Sequence, residues 1–217
     1  MGSVGASIRR AFGPYERQVS EIYRRCFIDL DDLAGCIRDW AEPSSILEIG
    51  CGEGALAERL VRDFPDAHYT GIDVIPHLGR MFDGPRSRVE FRQIPAEELA
   101  QECPNTFDLV VINDVLHHVP DALRAGILEA AKDLLCDGGT LVFKDWVHRF
   151  TPMHLACYVA DVYIGGDRNV RYMALSEQRR LLENCFGLDN LLEERPIAPW
   201  SQNLAILVRK TSNECAS

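Results

Sequence analysis

Three glycines at alternate positions mark the part of the sequence best suited to bind a ligand. Gly50, Gly52 and Gly54 follow a short apolar run over residues 46–49 and precede a helical pattern of apolar residues over 55–64. Glycine lets the backbone take a positive φ and approach a ligand closely, and the beginning of a helix offers free N–H donors. The order of strand, tight turn and helix therefore predicts that a polar ligand binds on this turn.

Two classes of ligand are compatible with the spacing of these glycines. Gly50, Gly52 and Ala55 satisfy the dinucleotide pattern G-x-G-x-x-G/A, which would suit NAD and an oxidoreductase. With Glu48 in front and Gly54 as the third glycine, the same stretch reads Glu48-x-Gly50-x-Gly52-x-Gly54. This pattern resembles the first motif of the class I S-adenosylmethionine (SAM)-dependent methyltransferases. That resemblance implies that SAM, with S-adenosylhomocysteine as its product, is the ligand.

An acidic residue follows the glycine turn at the distance that ribose recognition requires. The segment His68–Asp73 is typical of a second strand, and Asp73 lies about 20 residues beyond the glycines. A carboxylate at the tip of the neighbouring strand can accept hydrogen bonds from both ribose hydroxyls of an adenosine. Asp73 and the Val74 that follows it are also similar to the G-x-D segment of the family.

Two further strands complete the predicted cofactor site. Residues 89–94 indicate a third strand. In many members of the family an Asp that binds adenine ends this strand, whereas this sequence has Ile94 and Pro95 there. Adenine recognition would therefore rest on backbone groups around Ala96 and Glu97. The segment after the buried strand over 107–112 resembles the family's fourth motif and implies that Asn113 faces the cofactor near the sulfonium. The resemblance thus implies the following cofactor-binding residues: Glu48, Gly50, Cys51, Gly52, Gly54, Asp73, Val74, Ala96, Glu97 and Asn113.

Histidines and a tyrosine are the candidate proton acceptors. Imidazole titrates near neutrality, so His118 could take a proton from a methyl acceptor, although packing or a backbone hydrogen bond is an alternative role for both His117 and His118. Thr151-Pro152 predicts the start of a helix on which His154, Tyr158 and Asp161 share one stripe. The stripe either lines a pocket or faces solvent. The catalytic candidates are therefore His118, His154 and Tyr158.

Three regions that could converge on the carboxyl edge of the sheet supply the predicted acceptor-binding residues. Apolar residues at helical spacing over 15–40, including Tyr23, predict N-terminal helices that either form a lid over the cofactor or cover a face of the sheet. Arg171, on a loop, could anchor an acidic acceptor. Trp200 lies in a connection that would open on the same edge. The predicted substrate-binding residues are Tyr23, Arg171 and Trp200.

The alternation of strands and helices predicts the fold. Five strand-to-helix steps with short turns indicate a parallel doubly wound α/β sheet with right-handed crossovers. The resemblance adds that the sheet is Rossmann-like and seven-stranded, mostly parallel, with an antiparallel last strand and an N-terminal helical lid. At 217 residues a single domain is expected, with N-terminal helices over 1–44, a SAM-binding core over 45–144, an acceptor-side insertion over 145–174 and a C-terminal helix and strands over 175–210.

Composition limits the partners. A formal charge of −10 argues against nucleic acid, whose binding depends on Lys and Arg, and no apolar stretch approaches the about 20 residues that span a bilayer. The eight cysteines form no C-x-x-C pair or His/Cys cluster, so no metal is expected. With no secretory signal at the beginning of the sequence, we expect a cytoplasmic protein, monomeric or homodimeric, that acts on a small molecule.

These observations favour a SAM-dependent methyltransferase that modifies O or N of a small molecule, in secondary metabolism. An NAD-dependent oxidoreductase is disfavoured by Gly54 and by the segment that contains His117 and His118. A SAM-binding accessory protein without transfer activity remains a third possibility at the level of sequence.

Overall fold

A seven-stranded sheet runs through the computed structural model, which describes residues 25–159, 161–162 and 169–211. The strands lie in the order β3-β2-β1-β4-β5-β7-β6. Their bounds are β1 Ser45–Ile49, β2 His68–Asp73, β3 Val89–Gln93, β4 Phe107–Asn113, β5 Leu135–Trp146, β6 Leu191–Pro196 and β7 Asn203–Arg209. The first five strands pair in parallel, and β7 pairs antiparallel with both β5 and β6.

Helices cover both faces of the sheet, as the predicted doubly wound fold requires. Their bounds are α1 Leu30–Trp40, α2 Ala55–Asp63, α3 Ala96–Glu102, α4 Asp121–Leu134, α5 Pro152–Val159 and α6 Leu175–Phe186, with short 3₁₀ turns at Leu116–His118 and Leu188–Asn190. One apolar core lies between the sheet and α1 and α2, and a second lies between the sheet and α3, α4 and α6. Successive strand residues alternate between the two cores: Ile46 packs in the first and Leu47 in the second.

The fold predicted from the sequence is confirmed, including the antiparallel last strand. The predicted first N-terminal helix and most of the predicted lid lie outside the described residues, so only α1 can be placed. The sequence predicts Asp31 or Asp32 as the N-cap of this helix. In the structure it begins at Leu30 with Asp29 as its N-cap, which accepts hydrogen bonds from the backbone N–H groups of Asp31 and Asp32. The carboxylate two residues earlier takes the cap position because it reaches both N–H groups at once.

The fifth strand is longer than predicted, and this difference matters for the site. The sequence predicts a strand over residues 140–144, with Gly138 and Gly139 ending the helix before it. In the structure β5 begins at Leu135, and Gly138 lies inside the strand with a left-handed φ of 75°. The backbone N–H of Gly138 donates to the backbone carbonyl of Lys210. The strand also continues to Trp146, so that Asp145 belongs to the sheet and not to the following loop.

Two other predicted boundaries shift without changing the topology. The sequence predicts Ser176 as the N-cap of the last helix, but this helix begins at Leu175 with Ala174 at its N-cap, so Ser176 lies in the first turn of α6. The sixth strand begins at Leu191, because a 3₁₀ turn occupies the residues directly after Gly187. None of the helices in the described ranges combines the length and apolar character that crossing a membrane requires.

Candidate functional site

The glycine turn connects β1 to α2, and its glycines have two different surroundings. A Cβ on Gly50 would lie 2.3 Å from a methyl group of Val115, and one on Gly54 would lie 3.2 Å from the Cα of Gly79. A Cβ on Gly52 would meet no atom within 4 Å, although its φ of +51° is left-handed. Gly50 and Gly54 therefore allow close packing of the chain, whereas Gly52 presents bare backbone to open space.

Asp73, at the end of β2, is aligned with this turn by backbone hydrogen bonds. One carboxylate oxygen accepts the N–H of Gly52 at 2.9 Å, and the other accepts the N–H of Val74 at 2.7 Å and that of Ile75 at 3.2 Å. Asp73 is half-buried and the side chain of Val74 is exposed. The two strand ends are thus joined at the position where the sequence predicts ribose binding.

A cavity of about 310 Å³ lies at the carboxyl ends of β1, β4 and β5. Of the predicted cofactor residues, it is lined by Glu48, Gly50, Cys51, Gly52 and Asn113, and it is also lined by the predicted proton acceptor His118. Its other lining residues are Phe27, Ile28, Leu30, Glu53, Ala55, Leu56, Asp114, His117, Trp146, Cys157, Asp161 and Tyr172. None of the described residues that line it is an arginine or a lysine.

The remaining predicted cofactor residues do not line the cavity. Gly54 belongs to the glycine turn, Asp73 accepts a hydrogen bond from Gly52 of that turn, and the side chain of Val74 is exposed beside it. Ala96 is buried in the core between the sheet and α4. The carboxylate of Glu97 lies 3.7 Å from where a Cβ on Gly126 would be, so this side chain faces α4.

Two buried acceptors on the cavity wall make the cavity suitable for a ligand with cationic or donor groups. The side-chain oxygen Oδ1 of Asn113 and the Oδ1 of Asp114 are buried without a hydrogen-bond partner in the structure. The second oxygen of Asp114 accepts a hydrogen bond at 2.6 Å from Lys144, which is fully buried. Because buried polar atoms normally find partners, these two oxygens fit the sulfonium and ammonium groups of SAM.

Glu48 is a buried acid on the same wall. The Tyr69 hydroxyl donates to its carboxyl group at 2.5 Å. Burial raises the pKa of Glu48 to about 8, against the opposing effect of the Tyr69 hydrogen bond. Without a ligand, Glu48 is therefore mainly protonated at neutral pH.

His117 and Asp145 form a buried pair, of which His117 lines the cavity. The imidazole Nδ1 lies 2.5 Å from Oδ1 of Asp145, and the His117 backbone N–H donates to the other carboxylate oxygen at 3.2 Å. Burial disfavours the ionised form of both groups, but each holds the other ionised: the pKa of His117 is raised and that of Asp145 is lowered. Since an ionised carboxylate is only an acceptor, Nδ1–H of His117 must donate to it, which leaves Nε2 for the cavity.

Asp161 and Tyr172 complete the surroundings of His117. The Tyr172 ring stacks on the imidazole with centroids 4.9 Å apart, and its hydroxyl donates to Oδ2 of Asp161. The same Oδ2 lies 3.9 Å from Nε2 of His117. The His118 ring is 4.1 Å from that of His117, but His118 is exposed.

The other predicted proton acceptors lie in a separate hollow. His154, Tyr158 and Arg171 line a space of about 450 Å³ together with His148, and Tyr172 lies between this hollow and the cavity. Burial and the nearby His148 lower the pKa of His154. The predicted stripe of His154, Tyr158 and Asp161 is thus divided, because α5 ends at Val159 and the next described residue, Asp161, faces the cavity.

Two of the three predicted substrate residues, Arg171 and Trp200, are described by the structure, and neither lines the cavity. Arg171 forms ion pairs with Asp121 at 3.0 Å and with Glu177 at 2.7 Å. The indole N–H of Trp200 donates to the backbone carbonyl of Cys26 at 2.7 Å, and its ring packs on the small apolar cluster that contains Trp146. Tyr23 lies outside the described residues.

Sequence analysis did not identify the roles of His117, Asp145, Asp161 and Tyr172. Only the position of Asp145 could have been inferred. In a parallel pair of β4 and β5 with Asn113 opposite Lys144, Asp145 follows Lys144 and therefore lies next to the fourth motif. Oxygen and nitrogen atoms that could hold an ion meet in two groups, one with Asp114, His117 and Asp145 and one with His117, His118 and Asp161. The expected independence from metal therefore stays a prediction.

Comparison with known proteins agrees with this geometry. A family model described as a methyltransferase domain matches residues 47–141, from β1 to β5. A ubiquinone biosynthesis O-methyltransferase of Pseudomonas aeruginosa (strain UCBPP-PA14) is 34% identical over 125 residues, which are 55% of this chain and 51% of that protein. The chain thus spans about half the length of the curated relatives it matches.

Solved structures share the fold. An O-methyltransferase family protein from Burkholderia thailandensis superimposes with a TM-score of 0.71 at 16% identity, over 95% of this chain and 60% of that one. The 1,6-didemethyltoxoflavin-N1-methyltransferase of the same organism, determined with S-adenosylhomocysteine and its acceptor, gives a TM-score of 0.65 at 17% identity, over 95% of this chain and 88% of that one. At these identities the solved structures show the fold alone, and the resemblance of the glycine turn to the first methyltransferase motif is supported by the family model, whose match to residues 47–141 includes the turn.

Proposed function

We propose that this protein, whose residues 47–141 match a methyltransferase domain, transfers a methyl group from SAM to a hydroxyl oxygen of a small molecule. The observation that carries the proposal is the His117–Asp145 pair, in which Asp145 engages Nδ1 of an imidazole that lines the same cavity as the glycine turn. The relative from P. aeruginosa, an O-methyltransferase by name, supports oxygen as the acceptor atom. Nitrogen acceptors remain the alternative within the same chemistry.

The residues that would hold SAM lie on the walls already described. Asp73 would accept hydrogen bonds from the ribose, and the bare backbone at Gly52 would allow close approach of the ligand. The free oxygens of Asn113 and Asp114 would face the positively charged end. Glu48, neutral while the cavity holds no cation, would ionise beside one because a neighbouring positive charge favours the carboxylate.

His117 supplies the base that a hydroxyl acceptor needs. A phenol-like hydroxyl has a pKa of about 10 and keeps its proton at neutral pH. Neutral His117, with Nδ1–H fixed on Asp145, would accept that proton at Nε2, and Asp145 would stabilise the resulting imidazolium. A cation bound nearby would shift His117 towards this neutral form.

Bound SAM would supply the methyl group, with the electron pair of the broken carbon–sulfur bond going to sulfur as the bond from oxygen to the methyl carbon forms. Nε2 of His117 would accept the acceptor proton and pass it to solvent. The remaining task of the protein is to align the two reactants, which turns a bimolecular reaction into an effectively unimolecular one.

Binding of SAM and transfer of its labelled methyl group to hydroxyl compounds would test this function. Gly52→Ala and Gly138→Ala form a matched pair, because each glycine has a positive φ and a Cβ on either meets nothing within 4 Å. Only Gly52 lines the cavity. Both variants should lose similar stability, and only Gly52→Ala should also bind SAM more weakly by calorimetry. If the two variants bind SAM equally well, or if the wild-type protein transfers no methyl group, the proposal is wrong.

A further inference from the structure

A buried arginine on α4 cross-links two segments of the chain beside His117. Arg124 is 2% exposed, and its Nε–H donates to the backbone carbonyl of Val119 at 2.9 Å. A second nitrogen, Nη2, donates to the backbone carbonyl of Arg171, also at 2.9 Å. The third nitrogen, Nη1, lies 3.0 Å from a carboxylate oxygen of Asp121. The planar guanidinium thus joins the segment after His117 to the segment before α6.

The two segments that Arg124 joins enclose the imidazole of His117. The Arg171 backbone N–H donates to the carbonyl of His117 at 2.9 Å, so the backbone N–H and the backbone carbonyl of Arg171 are both fixed. The next residue is Tyr172, whose ring stacks on the imidazole with centroids 4.9 Å apart. The hydrogen bonds of the residue before it therefore set the position of this ring.

The buried charge of Arg124 is costly, and packing alone does not account for it. Burial lowers the pKa of the guanidinium, and only the nearby carboxylate of Asp121, which is largely exposed, opposes this effect strongly. An apolar side chain of similar volume is often as stable as a buried charge or more so. An apolar side chain cannot, however, hold carbonyls of two segments at a fixed separation, which the rigid fork of a guanidinium does.

We propose that Arg124 is a positioning residue for methyl transfer, which keeps Tyr172 stacked on His117 and so holds the imidazole where it accepts the proton. This role rests on the proposed function, because Arg124 acts through the base named there. Arg124 does not line the cavity, so it touches neither SAM nor the acceptor. A displacement of about 1 Å at reacting groups lowers a rate by as much as about 100-fold, so a distant clamp is enough to affect transfer.

Single-turnover transfer from saturating SAM to phenol, as a simple hydroxyl acceptor, compares Arg124→Met with Lys132→Met. Lys132 is the matched control, because it lies on the same helix and its ammonium also donates to a backbone carbonyl, that of Cys185 at 2.7 Å. Arg124→Met should lower the rate about ten- to hundredfold, and Lys132→Met by less than about twofold. Calorimetry should find the wild-type SAM affinity in both variants.

A double-mutant cycle with Tyr172→Leu separates positioning from a general loss of stability. If Arg124 acts through Tyr172, adding Arg124→Met to Tyr172→Leu should change the rate by less than about twofold, whereas independent effects would multiply. Arg124→Lys keeps the charge but lacks the fork that reaches both carbonyls, so it should recover only part of the rate. This variant also carries the test if Arg124→Met does not fold.

The position of Tyr172 is measurable without any acceptor. Stacked rings shift each other's proton signals in NMR spectra, and the Cε1–H signal of His117 is identified by its absence in His117→Gln. Arg124→Met and Arg124→Lys should move this signal towards its position in Tyr172→Leu, whereas Lys132→Met should leave it unchanged.

Any of three results would overturn this role for Arg124. They are a wild-type rate in Arg124→Met or Arg124→Lys, rate losses that multiply in the cycle with Tyr172→Leu, and a His117 signal that neither arginine variant moves. A wild-type protein that transfers no methyl group would instead contradict the proposed function. In that case the His117 signal would still accept or reject the placement of Tyr172 by Arg124.

Discussion

At the scale of single residues, the site depends on two buried carboxyl groups, Glu48 and Asp145, and on the buried histidine His117. Glu48 is the clearest case, because burial raises its pKa from 4.5 to about 8 while the Tyr69 hydroxyl holds the carboxyl group in place. A carboxyl group that binds its proton more tightly in the folded protein than in the unfolded chain lowers stability as pH rises. The loss should develop between the two pKa values, from about pH 4.5 to about pH 8.

Glu48→Gln should therefore stabilise the ligand-free protein at high pH. The amide keeps an acceptor for Tyr69 and cannot ionise, so the variant and the wild-type protein should be similar near pH 4.5 and diverge above it, on the order of 1–3 kcal/mol by pH 8. Denaturant unfolding at both pH values measures the difference. A difference that does not change with pH would show that ionisation of Glu48 is not its cause.

The pH dependence of methyl transfer reports on His117. Its raised pKa means that the neutral, proton-accepting form becomes populated only above the ordinary value of 6.5. Activity should rise with pH through that range. In Asp145→Asn the carboxylate is gone and burial lowers the pKa of His117, so the rise should move to lower pH while the plateau falls. A pH–rate profile that keeps its midpoint in Asp145→Asn would exclude this role for the pair.

Asp73 provides a test of the proposed SAM binding at the glycine turn. Asp73→Ala should weaken SAM binding by about 1.5–3 kcal/mol, the range for hydrogen bonds to a charged group. Asp66→Ala is the control, because Asp66 is fully exposed and lies before the opposite end of β2. Calorimetry gives both affinities, and circular dichroism checks that each variant is folded. Equal affinities in the two variants would remove Asp73 from the cofactor site.

At the scale of elements, local patterns predicted each strand and helix but not which distant side chains meet. The strand, turn and helix around Gly52 are encoded within a few residues, and the sequence predicts them. The contact between His117 and Asp145 joins the 3₁₀ turn after β4 to β5 over 28 positions, and it depends on β5 extending beyond its predicted end. Helical spacing likewise grouped Asp161 with His154, whereas the end of α5 at Val159 separates them.

The connection before α6 is held by Arg171. Its side chain joins Asp121 on α4 to Glu177 on α6, and its backbone N–H donates to the carbonyl of His117 at 2.9 Å. Because the ion pairs are largely exposed, Arg171→Ala should lower the free energy of unfolding by no more than about 1 kcal/mol. SAM affinity should not change. A selective loss of acidic acceptors in this variant would instead restore Arg171 as their anchor.

At the scale of the whole molecule, parallel strands bring the site together. The carboxyl ends of β1, β2, β4 and β5 lie at one edge of the sheet, and they carry the glycine turn, Asp73, Asn113 and Asp145. This arrangement follows from the alternation of strands and helices, so the sequence predicts that these strand ends meet. The rest of the cavity wall is built by residues from the beginning of the described chain, β5, α5 and the segment before α6. The sequence predicts that such segments converge on this edge, but no local pattern shows which of their side chains meet there.

The central claim is that His117 activates the acceptor for methyl transfer from SAM. Its most direct test is the single-turnover rate of transfer to a phenolic acceptor in His117→Gln, whose amide can still donate to Asp145, with His68→Ala as an exposed histidine control. We predict a loss of about 10²- to 10⁴-fold in His117→Gln, unchanged SAM affinity, and recovery of the rate as pH approaches the acceptor's pKa of about 10. Transfer by His117→Gln at the wild-type rate near neutral pH would contradict the account.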